Sequence, residues 1–344
     1  MDATDTVSAA TGRGASTEPE DGPVDPDAPI RGRIRGADVR RVSHGLGLHV
    51  VSGLSPMAER LRDLKAYLAV APKSAVFTSL TGAELMGWSL PKMPTPAPVF
   101  IATNRTDPRP RRQGLVCHRV TRARRRHERE HLPVDEPEEI LLAASRDVGK
   151  LDLLILVESA LHEGDLDEER MVQLLDSGRP GVCDLRWAWQ RATSKAESVG
   201  ETLLYELHRC LGVDFEPQAD VFDDAGNLLG RADLRVTGTN LLHEYDGGHH
   251  QAKKQQRIDL RRSRGLSSSA YERRGYTLDD LLNHPLVVMH EIDRALGRPH
   301  RIRGIDAWRD LVENSLYGDT GRARIMHRWR RSGWPGGAVA ADAA

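Results

Sequence analysis

The sequence predicts an α/β protein, on three observations. Between 198 and 296 a capped helix is followed by strand-like runs at 215–222, 230–236 and 241–246, with turn residues between them. In the first half, strand-like runs at 98–103 and 115–120 sit among helical patterns, which places an α+β region ahead of the second half. At 39% hydrophobic and 29% charged, the 344 residues carry enough apolar side chains for cores, and the length suits two domains plus tails.

Composition narrows the class of function. No run of ~18 apolar residues occurs, so no spanning helix and no membrane partner are expected. Residues 1–29 have no apolar stretch of the kind a secretory signal requires. Cys117, Cys183 and Cys210 are too few and too scattered for a disulfide framework or a paired-cysteine zinc site, and a reducing, cytoplasmic compartment is the expectation. The net charge of −1 says nothing for nucleic acid, so any such role must lie in how the charges are distributed.

Residues 1–29 hold seven acids against one Arg among Ser, Thr, Gly and Pro, and are expected to be a disordered acidic tail. The α+β region is placed at 30–192. It opens with short strands and turns over 32–51. Ser55-Pro56 then starts a helix, with Ser as cap, Pro at the first helical position and Glu59 favourable to the dipole. That helix carries Leu61, Leu64 and Leu68 and stops before Pro72, and a second runs over 79–88. Residues 105–129 are the most basic stretch, with ten Arg against Asp107 and Glu128. Helices follow around Ile140–Leu142, around Leu151–Leu161, after the cap Asp167, and around Leu185, Trp187 and Trp189.

The character changes at Ser198. Ser198-Val199-Gly200-Glu201 has the form of a capping box ahead of a helix over 202–211, which Gly212 ends. After the three strands come a basic helix at 253–264, a strand at 271–276, and helices at 277–283 and 285–296. The α/β unit is therefore placed at 198–296, and 297–344 is left as an extension with one helix over 305–317 and a loose tail.

Hydrolysis of a phosphodiester with a divalent cation needs carboxylates that converge on one point. Gly230-Arg231-Ala232-Asp233-Leu234 puts Asp233 early in one strand, and Leu242-His243-Glu244-Tyr245-Asp246-Gly247 puts Glu244 on the next, ten residues between the two acids. Carboxylates on apolar strands are costly unless a cation offsets them. Each residue also has a plainer reading. Asp246-Gly247 suits a turn, Glu201 suits a cap partner, Asp233 and Glu244 suit a solvated face, and the Arg clusters suit solvated loops.

The Ser-x-Gly-Glu helix start, the Gly-Arg-x-Asp-Leu strand and Glu-Tyr-Asp-Gly-x-x-His resemble the Vsr-like branch of the PD-(D/E)xK endonucleases, over about 100 residues. The resemblance implies a restriction-endonuclease-like order of helix, three-strand meander, helix, strand, helix. It implies Asp233 and Glu244 as ligands of Mg²⁺ or Mn²⁺, and Glu201, Asp246 and His249 as further catalytic residues. Asp246 stands where the wider superfamily has Lys, so the usual water-orienting amine is absent and His249, His250 or Lys253 would have to take its place. Arg124, Arg125, Arg126, Arg257, Arg261 and Arg262 are the candidate nucleic-acid contacts. Residues 30–175, with the segments Val76–Pro91, Pro98–Thr103 and Leu132–Ala144, are similar to AbiEi-type antitoxins of type IV toxin–antitoxin systems. That similarity implies DNA and a cognate toxin as partners. The expected function is thus DNA cleavage in repair or phage defence, and the rival is a non-catalytic DNA-binding regulator on a degenerate nuclease fold.

Overall fold

The computed structural model describes residues 25–121, 125–223, 225–247, 271–300 and 302–332. The chain divides into two compact units, Met1–Ala66 and Tyr67–Ala344. Among the described residues no helix is long and apolar enough to cross a membrane.

The first unit holds β1 (Ile30–Arg31), β2 (Val39–Ser43) and β3 (Leu46–His49), antiparallel in the order β1-β3-β2, and most of α1 (Pro56–Ala69). Ser55 Oγ accepts from the Ala58 amide at 3.2 Å, the cap that the Ser-Pro pair predicts. Arg62, 6% exposed, stitches the helix to two stretches of chain ahead of it, donating to Asp27 Oδ1 at 2.6 Å and to the His49 carbonyl at 2.9 Å.

The second unit is mixed α/β. Its first sheet has the order β6-β5-β4-β8-β7, built from β4 (Val76–Phe77), β5 (Val99–Asn104), β6 (Leu115–Val120), β7 (His127–Arg129) and β8 (Leu132–Val134). Sequence patterning finds β5 and β6 but not β4, β7 or β8, which are too short to show a period. Helices α2 (Ser79–Met86), α3 (Pro137–Ala144), α4 (Lys150–His162), α5 (Glu168–Leu175) and α6 (Val182–Trp189) accompany it. Each falls where the apolar spacing and the caps place a helix.

Helix α7 (Val199–Cys210) leads into a second sheet of order β12-β11-β10-β9. Here β9 (Phe215–Phe222), β10 (Leu228–Val236) and β11 (Leu241–Tyr245) form the expected antiparallel meander, and β12 (Glu272–Tyr276) joins β11 in parallel. A parallel pair needs a crossover of a dozen residues or more. Residues 246–271 are long enough for one, and the helix expected at 253–264 lies outside the described residues.

Helices α8 (Leu278–Asn283), α9 (Pro285–Ala295), α10 (Ile302–Glu313) and α11 (Asp319–Arg331) complete the unit. Patterning misses α11, because its arginines mask the stripe of Ile325, Met326 and Trp329 that it buries. One apolar core joins Leu203, Leu204 and Leu207 of α7 to Leu234, Val236 and Leu241 of the sheet and to Val288, Met289 and Ile292 of α9. The same core takes in Leu151 and Ile155 of α4 and Ile305 and Trp308 of α10. The expected boundary between 192 and 198 therefore lies inside the second unit, and the core draws on residues on both sides of 198–296.

Candidate functional site

Three of the acids singled out in the sequence, Asp233, Glu244 and Glu201, come within electrostatic reach of one another at one end of the β9–β10–β11 meander. Leu234 pairs with His243 on one side and Pro217 on the other, so Asp233, one position earlier, is stationed between Glu244 and Gln218. Asp233 is half-buried, and its Oδ2 accepts from the Tyr245 amide at 2.7 Å. Burial pushes its carboxyl up to about 7; the Tyr245 amide opposes this, and the neighbouring charges of Glu201, Glu244 and Glu197 add to it. The Tyr205 hydroxyl donates to the Asp233 carbonyl at 2.8 Å, tying α7 to β10.

Glu201 arrives from the first turn of α7. Ser198 caps the helix, its Oγ accepting from the Glu201 amide at 3.2 Å. The Glu201 carboxylate then accepts from Ser198 Oγ at 2.8 Å, the Glu197 amide at 2.9 Å and Gln218 Nε2 at 2.7 Å. Capping and proximity to Asp233 are therefore two aspects of one placement. Burial raises the Glu201 carboxyl, and those three donors pull the other way. Gln218 reaches α7 from a strand at φ +52, a left-handed conformation uncommon outside glycine. Sequence patterning misses it, because a lone Gln in a strand carries no signal.

Gly200 is fixed by the site as well. A Cβ there would stand 2.1 Å from the Tyr245 ring, so only glycine lets the end of β11 lie against α7. On the neighbouring position of β11, His243 is fully buried. Its Nδ1 meets His208 Nε2 at 2.9 Å, and His208 Nδ1 donates to the Leu204 carbonyl at 2.8 Å. Burial lowers His208 to about 4 and His243 well below the usual histidine range, so both rings are neutral near pH 7. Neutral rings donating in this order hold β11 in register against α7 and so hold Glu244 beside Asp233.

Glu244 is half-buried and paired with Arg273 of β12. Asp246 is exposed, just past the end of β11, where its amide donates to the Tyr276 carbonyl at 2.8 Å. Arg125 and Arg126 are exposed, and Arg126 donates to the Lys73 carbonyl at 2.8 Å. His249, Arg124, Arg257, Arg261 and Arg262 lie outside the described residues, as do His250 and Lys253.

The donors suit a hard cation, since carboxylate oxygens are what Mg²⁺ and Mn²⁺ prefer. Among the described residues no three Asp, Glu, His or Cys side chains form a ready ligand group. Two carboxylates are nevertheless a common protein share for Mg²⁺, which keeps much of its water. Asp233 fits that share, and Glu244 fits it if it exchanges Arg273 for the cation, while the Glu201 carboxylate is taken up by its three donors. No protein-family model matches the chain, and no curated protein matches it.

Proposed function

We propose that the chain is a metal-dependent DNA endonuclease that hydrolyses phosphodiester bonds at the end of the β9–β10–β11 meander, on a restriction-endonuclease-like fold. One observation carries this reading: Asp233 is half-buried beside Glu244 and Glu201 without a cationic partner of its own among the described residues, and its carboxyl is raised to about 7. A protein that gains nothing from such a cluster has no reason to keep the repulsion. Asp233 and Glu244 are the residues that would hold Mg²⁺ or Mn²⁺, and the bound cation supplies a water of lowered pKa and offsets charge on the phosphate. The chain's own part is positional. The Tyr245 amide and the Tyr205 hydroxyl aim Asp233, the paired imidazoles set the register of Glu244, and Glu201 with Gln218 closes the cluster from the helix side. Arg125 and Arg126 are offered as phosphate contacts.

The ion pair of Glu244 with Arg273, and Asp246 in place of the superfamily's Lys, favour a second reading: a non-catalytic, antitoxin-like DNA-binding regulator that keeps the nuclease fold. Plasmid DNA incubated with the purified chain in Mg²⁺, Mn²⁺ or EDTA separates the two. Cleavage with metal, lost in Asp233→Asn and Glu244→Gln while the circular dichroism is kept, supports the enzyme. Shifted plasmid mobility with no cleavage under any metal supports the regulator. Cleavage at the parent rate by both variants removes these acids from any mechanism.

A further inference from the structure

A cavity of about 840 Å³ opens in the second unit, reached by the N-terminal ends of α4 and α6 and by side chains of α7, α10 and α11. None of the acids of the candidate site lines it. Its basic lining is Arg146, Lys150, Arg191, Arg324 and Arg328, against the acids Asp184, Glu206 and Asp310. Two of the cations are answered from within the protein. Arg191 meets Glu206 at 3.1 Å and Lys150 meets Asp184 at 3.5 Å.

The other three have no carboxylate partner among the described residues. Arg324 donates to the Asn314 side chain at 2.9 Å and to its carbonyl at 3.3 Å, and Arg328 donates to the Arg146 carbonyl. Arg146 has its Nε buried with no hydrogen-bond partner. A guanidinium nitrogen out of water and without an acceptor is costly, and the exposed guanidiniums of Arg324 and Arg328, held only by neutral acceptors, add uncompensated positive charge on the same cavity. An anion in the cavity relieves both. Gly149 and Gly181, the N-caps of α4 and α6, also line the wall, so two helix dipoles add positive potential there.

Shape narrows the ligand. The volume falls in the range of sites for drug-sized molecules and is far more than a lone inorganic ion fills. Trp187 gives one wall an aromatic surface, with the Arg191 guanidinium 4.3 Å from its ring centroid. Forked donors beside an aromatic wall suit a phosphate carried on a planar base.

We propose that this cavity binds the phosphate of a nucleotide, held by Arg146, Arg324 and Arg328, with the base toward Trp187. The source is either a free mononucleotide or the phosphorylated end of a nucleic-acid strand. The site does not rest on the nuclease reading, and Asp233→Asn should bind as the parent does.

Calorimetric titration of the full chain with adenosine monophosphate, adenosine, and a short oligonucleotide bearing a 5′-phosphate or a 5′-hydroxyl tests it. Adenosine monophosphate should bind and adenosine should bind at least about tenfold more weakly, since one charge-assisted contact is worth that factor. Arg324→Ala, at an exposed position, and Arg146→Lys, which keeps the charge but not the fork, should each weaken the nucleotide by a similar factor with unchanged melting. A preference for the 5′-phosphorylated strand over the 5′-hydroxyl strand identifies a strand end as the source, and binding of the mononucleotide alone identifies a free nucleotide. No binding of either phosphate form, or equal binding by the parent and both variants, overturns the proposal.

Discussion

The two sheets of the second unit bury acids in opposite ways. Beside the first sheet, Asp147 Oδ2 accepts from Ser79 Oγ at 2.7 Å and meets His118 Nε2 at 3.0 Å, and Asp135 takes a contact from Thr78 Oγ1 at 3.3 Å. Those acids are answered by hydroxyls and an imidazole, and they lock the end of β4 and strand β6 to the segments on either side of α3. On the second sheet Asp233 has one amide donor and three carboxylates within electrostatic reach. A shielded carboxylate met by donors serves the fold, whereas one met by like charges is, on the function proposed above, where a cation would bind.

The largest effect should come from uncovering the core under the second sheet. Trp308 is fully buried in α10 and donates from its indole nitrogen to the Leu281 carbonyl at 2.8 Å, although it lies beyond 296. Trp308→Ala should cost about 3–5 kcal/mol in urea unfolding, and a fragment of 198–296 alone should melt far below the full chain. A fragment as stable as the whole would restore the narrower boundary.

Next in size, Asp147→Asn should destabilise the protein by about 1–3 kcal/mol, because Ser79 and His118 exchange a shared charged acceptor for a neutral one. Asp233→Asn should act with the opposite sign. The Asp233 carboxyl is raised, so the folded form holds its proton more tightly than the unfolded chain, whose value is about 3.9. Its contribution to stability is complete below about pH 4 and is lost as the pH rises through about 7. The Asn variant escapes that loss, so without metal it should gain on the order of 1–2 kcal/mol over the parent near pH 8 and little near pH 4. Thermal melts across that range measure the gap, and Mg²⁺ should narrow it by stabilising only the parent. A gap that does not change with pH, or equal signs for the two variants, breaks the contrast between the sheets.

Much of the second unit was legible residue by residue. The Ser198 cap, the glycine after α7, the turn residues between strands and the spacing of Asp233 and Glu244 are local signals, read from side-chain period and turn chemistry. The sequence alone determined the mixed α/β class, the meander and the strands that carry its acids. Tertiary structure alone decided what those acids meet. Gln218 turning at φ +52 onto Glu201, the Tyr245 ring over Gly200, Arg273 against Glu244, and His208 against His243 all join residues from separate elements. The cavity walled by Arg146 and Arg324 is of the same kind, since those residues lie far apart along the chain. Local periodicity reports which face of an element is apolar. It carries no information on which distant charge is brought opposite, because that follows from packing a core that spans Leu151 to Trp308.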